Sequence, residues 1–246
     1  MIDRCRLLNG LVPIAAFALL ANVSISRLQA QPVPNPVRAT ISIASDYILN
    51  GLAQTDSDPA LRFGIDFEHT SGFFSGGSIA DVGYEVESSF SKPRDLQLLL
   101  YSGYIWRRGQ WMSNVSVARY LYPGITRSYD YSQLAATVSY KDRYFLTAID
   151  FREYLGIYDD AKSLRLGIST SWIWEMDFEA NLGRFSPAGP QLDSYTYWDI
   201  GVSRPFGRFA IDLRFHDNSF GRSSLLGNDA QNQWVFSATY ALLPFD

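Results

Sequence analysis

Acidic residues are closely spaced in the segment 45–74, where Asp56, Asp58 and Asp66 fall near one another. Carboxylates at such spacing are ligands in calcium loops, which also need a glycine at the sharp turn and a distal bidentate glutamate. The run Asp56-Ser57-Asp58 has neither of these residues at the spacing that a calcium loop requires. We therefore interpret Asp56-Ser57-Asp58 as a solvated turn in the connection between the first two predicted strands, and predict no metal ligands in it.

A histidine and a serine lie close together in residues 214–221, RFHDNSFG. Nucleophilic catalysis needs the serine and histidine side chains within hydrogen-bond reach of each other. In an extended strand, His216 and Asn218 share one face while Ser219 points to the other. The second histidine, His69, belongs to a distant turn. We predict no catalytic residue and no cofactor, and keep lipid hydrolysis as the weaker alternative.

Charged residues recur at every second position of several segments, which places them on one face of a strand. In LRFGIDFEH (61–69), the face that carries Arg62, Asp66 and Glu68 lies opposite a row of apolar side chains. The predicted functional surface consists of Arg62, Asp66, Glu68, Asp150, Arg152, Arg165, Glu179, Asp199, Asp212 and Arg214. Uncharged residues lie between them on the same face, namely Gln133, Thr137, Ser169 and Asn181.

Alternation with a period of two recurs after residue 37, with no convincing helix. It predicts about twelve strands of roughly 9–11 residues, the length of a tilted membrane-spanning strand. Their predicted spans are 37–47, 59–70, 73–82, 95–107, 110–121, 129–140, 143–154, 162–174, 177–186, 195–204, 207–217 and 231–242.

Short and long connections alternate along the chain. Tight turns are predicted at Ser71-Gly72, Arg108-Gly109, Lys141-Asp142, Glu175-Met176 and Pro205-Phe206. The other links are longer, at 48–58, 83–94, 122–128, 155–161, 187–194 and 218–230. A transmembrane barrel inserted from one side has short periplasmic turns and long outer loops, and an even strand count puts both termini in the periplasm.

Aromatic residues cluster at predicted strand ends, as interfacial belts require. Phe67, Phe73, Trp106, Trp111, Tyr140, Trp172 and Trp174 flank the tight turns, and Tyr47, Tyr122, Tyr154, Trp198 and Trp234 lie towards the opposite ends. The predicted turn at Arg108-Gly109 places Trp106 opposite Trp111. These features favour an all-β, transmembrane antiparallel up-and-down β-barrel of about twelve strands over a secreted sandwich, whose apolar face would pack on a second sheet.

The N-terminal residues have the pattern of an export signal. Arg4 and Arg6 precede an apolar run at 7–23, and a cleavage site follows at Ala30. We therefore predict a cleaved signal peptide over 1–30, a Pro-rich spacer over 31–36 and a single barrel domain over 37–246. This organisation predicts location in the bacterial outer membrane with both termini periplasmic, and it requires contact with outer-membrane lipid and the barrel-insertion machinery.

Composition narrows the class of partner. Removal of residues 1–30 takes away three arginines and one aspartate, so the formal charge falls from −4 to −6. An acidic chain lacks the electrostatic attraction on which nucleic-acid binding depends, so no nucleic-acid partner is predicted. The single cysteine, Cys5, leaves with the signal, so the mature chain depends on no disulfide.

The segment SDYILNGLAQTDSDPAL, followed by GIDFEHTSGFFSGG, resembles the start of the TorF-type porins, a family of proteobacterial outer-membrane proteins. The matching residues are Ser45, Asp46, Tyr47, Gly51, Gln54, Thr55, Pro59, Ala60, Gly64, Asp66, His69, Ser71, Gly72 and Phe73. The tripeptide YPG (122–124) also matches. Leu49-Asn50 departs from the Phe-Arg that the family often carries, and the chain ends in LPFD rather than on an aromatic residue. The resemblance implies a barrel fold and a pore role.

These observations predict passive diffusion of ions or small hydrophilic solutes through a narrow lumen of mixed charge. The predicted turn at Pro205-Phe206 places Asp199 opposite Asp212, with Arg214 as the nearest cation. One alternative is a closed barrel whose inward charges pair with one another. A second is a surface-binding barrel that uses loops 83–94 and 218–230.

Overall fold

The computed structural model describes residues 36–55, 57–82, 95–123, 129–154, 160–171, 173–189, 193–220 and 232–243. The predicted signal peptide, residues 31–35 of the spacer, Asp56 and Trp172 lie outside these residues. Among the described residues, no helix has the length and apolar character needed to cross a bilayer.

Fourteen strands are present in the described residues, and twelve of them close a single antiparallel barrel. The barrel strands are β1 (Val37–Ala44), β4 (Ala60–Glu68), β5 (Phe73–Val82), β6 (Asp95–Arg108), β7 (Trp111–Leu121), β8 (Tyr131–Tyr140), β9 (Tyr144–Arg152), β10 (Ala161–Ser171), β11 (Asp177–Pro187), β12 (Tyr195–Phe206), β13 (Phe209–Asn218) and β14 (Gln233–Ala241). The remaining two, β2 (Ile48–Leu49) and β3 (Leu52–Ala53), pair only with each other. All twelve barrel strands coincide, within a few residues, with the predicted spans.

Each strand pairs with its neighbours in the chain, and β1 closes the ring by pairing with β14. That closing pair runs only from Thr40–Ala241 to Ala44–Ser237, whereas β1 pairs with β4 along its whole length. The order is therefore the predicted up-and-down topology.

The connections divide between the two ends of the barrel. The short-turn rim carries connections 69–72, 109–110, 141–143, 172–176 and 207–208, together with both ends of the described chain. The long-loop rim carries connections 45–59, 83–94, 122–130, 153–160, 188–194 and 219–232. The predicted alternation of short and long links is confirmed.

Two of the tight turns lie later in the chain than predicted. Gly109 and Gly207 adopt positive φ angles of 61° and 60°, a conformation open to glycine at little cost, and the turns form around them. Arg108 therefore pairs with Trp111, and Trp106 lies opposite Ser113. The predicted Trp106–Trp111 pair is wrong; Trp111 instead contacts Tyr140, with ring centroids 4.8 Å apart.

Candidate functional site: the barrel interior

The inward face of each strand follows from the register, because directly paired residues share a face. Eight of the ten predicted lining residues face inward, namely Arg62, Asp66, Glu68, Arg165, Glu179, Asp199, Asp212 and Arg214. The uncharged residues predicted between them, Gln133, Thr137, Ser169 and Asn181, are buried on the same face. Whether these residues line an open pore stays a prediction.

Asp150 and Arg152 were assigned to the wrong face. Asp150 pairs with Leu134, which is exposed on the outside of the barrel, and Arg152 is itself 62% exposed. The inward residues of β9 are instead Phe145 and Phe151, which are buried, with Thr147 and Ile149 between them. The apolar face of β9 was predicted to contact lipid. In the barrel it faces inward, and the rings of Phe145 and Phe151 fill the interior.

Asp199 and Asp212 are not opposite one another. Because the turn lies at Gly207-Arg208, Asp199 pairs with His216 and Asp212 pairs with Ser203. The predicted role of Arg214 survives the change of register. Its guanidinium bonds to the carboxylate of Asp199 and lies 3.4 Å from that of Asp212.

Arg214 is the centre of a buried charged cluster on β10–β13. Its guanidinium lies 3.6 Å from Glu179, whose other oxygen lies 3.5 Å from Arg165. Asn181 joins the acids by donating to Glu179 at 2.9 Å and to Asp199 at 2.7 Å. The side chain of Arg214 is only 5% exposed. Removing one member of such a cluster would leave an uncompensated buried charge, so the acids and the arginines depend on one another.

A second charged cluster lies inside the short-turn rim. Glu68 accepts from Arg107 at 2.9 Å and lies 3.7 Å from Arg38, while Asp66 accepts from the hydroxyl of Tyr101. Arg38, Asp66, Glu68 and Tyr101, together with Phe74, line a small cleft at that end. Arg38 and Arg107 were absent from the predicted lining. Their inward position follows from alternation once the registers with β4 and β7 are known.

An aromatic cluster fills one side of the interior towards the long-loop rim. Tyr120 and Tyr131 stack with ring centroids 4.4 Å apart, and the contacts continue through Phe151 and Phe185 to Tyr195. We refer to Tyr120, Tyr122, Tyr131, Phe151, Tyr154, Phe185, Tyr195 and Tyr197 as the aromatic cluster. The prediction that Tyr122 and Tyr154 belong to an outer belt is wrong, since both are buried inside.

The first long connection folds into the barrel. Leu49 is 1% exposed, Ile48 and Ala53 pack against Val235 on β14, and Leu52 packs with the aromatic cluster. We call residues 45–55 the inner hairpin. The predicted solvated turn lies beyond this segment, where Ser57 and Asp58 are exposed. Burial of residues 45–55 inside the barrel was not predicted.

Asp46 holds the base of the inner hairpin. Its carboxylate accepts from the hydroxyl of Thr55 at 2.6 Å, from the backbone of Tyr47 at 2.6 Å and from that of Ser57 at 3.1 Å. Burial raises the pKa of the Asp46 carboxyl above its ordinary value, and the hydrogen bonds from Thr55 and Tyr47 oppose that rise without cancelling it. The hydroxyl of Tyr47 also donates to Gln97 at 3.1 Å, which ties the base to β6.

The tip of the inner hairpin reaches the far wall. Asn218 donates to the carbonyl oxygen of Gly51 at 2.8 Å. Gly51 has a φ of +81°, and a Cβ there would lie 2.4 Å from the Cβ of Tyr197. Only glycine fits this position, because a side chain would meet both the left-handed backbone and the ring.

The opposite side of the interior is lined by small polar residues. Thr40, Ser42, Gly64, Ser237 and Thr239 face inward on β14, β1 and β4, and all are half-buried. Inward residues at comparable positions on β7 and β8, such as Ser116 and Gln133, are buried. We call these five residues the small-residue strip; they border space that water can reach.

Arg62 stands beside the small-residue strip. It pairs with Ser42 across β1 and donates to the hydroxyl of Ser78 at 3.0 Å. Within the described residues it forms no ion pair, in contrast to Arg165 and Arg214. Asp66, on the same inward face of β4, is a carboxylate that interacts with it electrostatically.

In the exposed turn 69–72, Nδ1 of His69 lies 2.9 Å from the hydroxyl of Ser71. The described residues do not bring His216 and Ser219 together. His216 faces inward opposite Asp199, whereas Ser219 accepts from the backbone of Thr196 on the outward side. In that part of the chain, no group of three or more histidine, cysteine or acidic side chains is placed to hold a metal ion.

Solved porins share the fold. The KdgM porin superposes with a TM-score of 0.53 at 6% identity, covering 84% of this chain and 99% of that one. The NanC porin gives 0.53 at 9% identity, over 84% and 100%. A complex described as "KdgM porin in complex with disordered oligogalacturonate" gives 0.54 at 6% identity, over 84% and 99%. At these identities the likeness shows a common barrel fold.

Sequence comparison adds a family. None of the curated proteins compared with the chain matches it. A family model described as "Bacterial protein of unknown function (Gcw_chp)" matches residues 29–241. That description carries no porin name, so the TorF-type resemblance stays a prediction.

Proposed function

The chain belongs to the Gcw_chp family of bacterial proteins of unknown function, and we propose that it is an outer-membrane porin. In this proposal, ions and small hydrophilic solutes diffuse passively through a narrow lumen of mixed charge. The observation that carries it is the division of the interior: the aromatic cluster packs one side, while the small-residue strip borders accessible space on the other.

The outer surface supports placement in a bilayer. Apolar side chains such as Leu61, Ile65, Leu146 and Leu166 stand exposed on the outward faces. In water such a surface would be costly, whereas the hydrocarbon core of a membrane accepts it. Aromatic pairs lie towards both rims, Trp111–Tyr140 at one and Trp198–Phe215 at the other, which is typical of interfacial belts.

The orientation follows from general rules for inserted barrels. Short turns and chain termini lie in the periplasm, and long connections face outwards. Insertion by the barrel-assembly machinery and contact with outer-membrane lipid are part of the same proposal. The TorF-type resemblance of residues 45–82 implies the same location and role.

The residues that line the lumen limit the charge and polarity of the solutes that can pass. The small-residue strip offers hydroxyl groups from Thr40, Ser42, Ser237 and Thr239, with the positive charge of Arg62 beside it. Acids balance the other inward arginines, so the described part of the lining lacks the ladder of bases that a strong anion selector needs. Small neutral or weakly charged hydrophilic solutes fit this lining best.

A closed barrel is the second candidate. The inner hairpin lies between Val235 and the aromatic cluster, so it covers the lumen at the long-loop end. A barrel held in this state would have a structural or surface-binding role and would pass no current.

Single-channel conductance of the chain purified from outer membranes tests both candidates. Stable current steps in a planar bilayer are expected, with a reversal potential near zero under a salt gradient. Ser42→Trp fills the space beside the small-residue strip and should lower conductance about tenfold or more, since pore width limits passage. Ile43→Trp is the matched control, because the neighbouring residue faces lipid.

The absence of steps from a barrel that is folded, judged by its heat-sensitive migration on gels, would contradict the porin proposal and favour the closed barrel. Equal conductance of Ser42→Trp and Ile43→Trp would show that the small-residue strip does not border the conducting path.

A further inference from the structure

Four basic residues lie on the outward face near the long-loop rim, on consecutive or nearly consecutive strands. They are Arg119 on β7, Arg152 on β9, Lys162 on β10 and Arg184 on β11. Their outward direction follows from pairing: Arg119 lies opposite Ser132, which lies opposite Arg152, and Arg184 lies opposite exposed Leu164. We call these four residues the basic band.

The members of the basic band differ in how they are paired. Arg152 lies 2.9 Å from Asp150 and also bonds Asp160, and Arg119 lies 3.9 Å from Asp130. Lys162 and Arg184 are exposed and form no ion pair within the described residues. Asp150, which is opposite Lys162 in the register, is held by Arg152. Two cations are thus available for an external anion.

Lys162 and Arg184 are also neighbours. Lys162 pairs with Ser186 and Leu164 pairs with Arg184, so the two bases are diagonal partners on one face of adjacent strands. Diagonal partners lie about 7–8 Å apart, a span that one phosphate group can bridge through two long side chains. Arginine can bind phosphate with two parallel hydrogen bonds, and lysine adds a compact charge.

The height of the band matches a lipid headgroup. Directly towards the barrel centre from Lys162 and Arg184, the outward residues are Leu164, Leu166 and Leu182, all exposed and apolar. Long basic side chains at the edge of such a surface extend to the interface while their aliphatic stems stay against the hydrocarbon. The ammonium and guanidinium groups therefore lie at the level of lipid phosphates.

The band is restricted to one side of the barrel. On β12–β14 the outward residues near the same rim are aromatic, with Trp198, Phe215 and Trp234 in consecutive contact, and the charged residue there is the acid Asp217. In the described part of this rim, outward bases occur on β7–β11 alone. A general need for interfacial anchors would not produce this asymmetry.

We propose that Lys162 and Arg184 bind a phosphate of the lipid A portion of lipopolysaccharide, with Arg119 and Arg152 extending the site. Lipid A combines phosphate groups with several acyl chains. The basic band combines two cations that form no ion pair within the described residues with an apolar surface beneath them. The inference rests on the outer-membrane location proposed above, but it is independent of whether the lumen conducts.

Native mass spectrometry of the detergent-purified barrel tests the site, with lipid A carrying both phosphates as the probe. Lys162→Ala combined with Arg184→Ala should weaken binding about tenfold or more, because charge-assisted hydrogen bonds are lost. Arg108→Ala combined with Arg204→Ala is the matched control at the short-turn rim and should bind as the wild type does. Lys162→Arg with Arg184→Lys should retain binding.

Three outcomes would overturn the proposal: unchanged binding by the Lys162/Arg184 double variant, equal weakening in the control, or equal affinity of the wild type for lipid A stripped of its phosphates. Each variant is checked for heat-sensitive gel migration, so loss of folding is recognised. Conductance is recorded in parallel, and a silent barrel that binds lipid A would contradict the porin function alone.

Discussion

The two sides of the barrel interior use the same alternating strands for opposite purposes. The aromatic cluster on β7–β12 packs rings against one another until several side chains have no accessible surface. The small-residue strip on β14, β1 and β4 leaves its hydroxyl groups half-buried beside open space. A barrel of twelve strands is wider than one that side chains fill completely, so close packing on one side leaves room on the other.

The largest effect on stability is expected from the packed side. Tyr131→Ala removes a ring that contacts Tyr120, Phe151 and Tyr154. Large-to-small changes at such sites cost about 3–5 kcal/mol of unfolding free energy. Urea unfolding in lipid vesicles measures the loss, and Tyr131→Phe, which keeps the ring, should lose much less. Equal losses in the two variants would show that the hydroxyl, not the packing, stabilises this wall.

The inner hairpin separates the two sides, and Gly51 tests its attachment. Gly51→Ala meets an unfavourable positive φ, at about 1–2 kcal/mol, and in addition a clash with Tyr197. Gly109→Ala is the matched control, since its φ is +61° and nothing lies within 4 Å of an added Cβ. We expect Gly51→Ala alone to raise conductance and to expose residues 45–55 to protease. Similar conductance and protease sensitivity in both variants would show that backbone strain, rather than the clash with Tyr197, causes the effect.

The charge of the accessible side is tested at Arg62. Arg62→Glu should shift ion preference towards cations by a few-fold, consistent with about 1 kcal/mol between nearby charges in water. Arg152→Glu reverses the same charge on the outer surface and should leave the reversal potential unchanged. A shift in Arg152→Glu equal to that in Arg62→Glu would show that overall charge, rather than the lining beside the strip, sets the preference.

The smallest effect is expected from pH acting on Asp46. Its pKa is raised in the folded hairpin, so the protonated form is favoured there relative to an exposed carboxyl. The corresponding stability is present at acidic pH and is lost as pH rises through the raised pKa. Protease resistance of residues 45–55 should therefore decrease modestly as pH increases over that range. Asp46→Asn should abolish the dependence, and a dependence that persists would implicate another group.

The alternation of polar and apolar residues predicted most of the fold, because this pattern depends only on residues that are close together in the chain. Alternation and turn residues gave all twelve barrel strands and the division between short and long connections. The positions of the turns were harder to predict. The turn between β12 and β13 forms at Gly207-Arg208, two residues later than predicted, so Asp199 pairs with His216 instead of Asp212. In a hairpin each one-residue displacement of the turn changes the pairing by two.

The interior was predicted less completely because its contacts are long-range. The face of Asp150 and Arg152 was ambiguous, as β9 carries large apolar side chains on both faces. The inner hairpin touches Asn218, a residue 167 positions away in the chain. No local pattern signals such a partner, although Asn50-Gly51 has the composition of a tight turn.

The pairing of β1 with β14 has a consequence for assembly. This seam spans only Thr40–Ala44, and its two strands come from opposite ends of the chain. Bringing such distant segments together carries the largest loop-closure entropy of any strand pair in the barrel, so we expect the ring to close last. Every other strand can first zip onto its neighbour as an open, curled sheet. We expect the seam to be the last pairing to form when the barrel folds and the first to be lost when it unfolds.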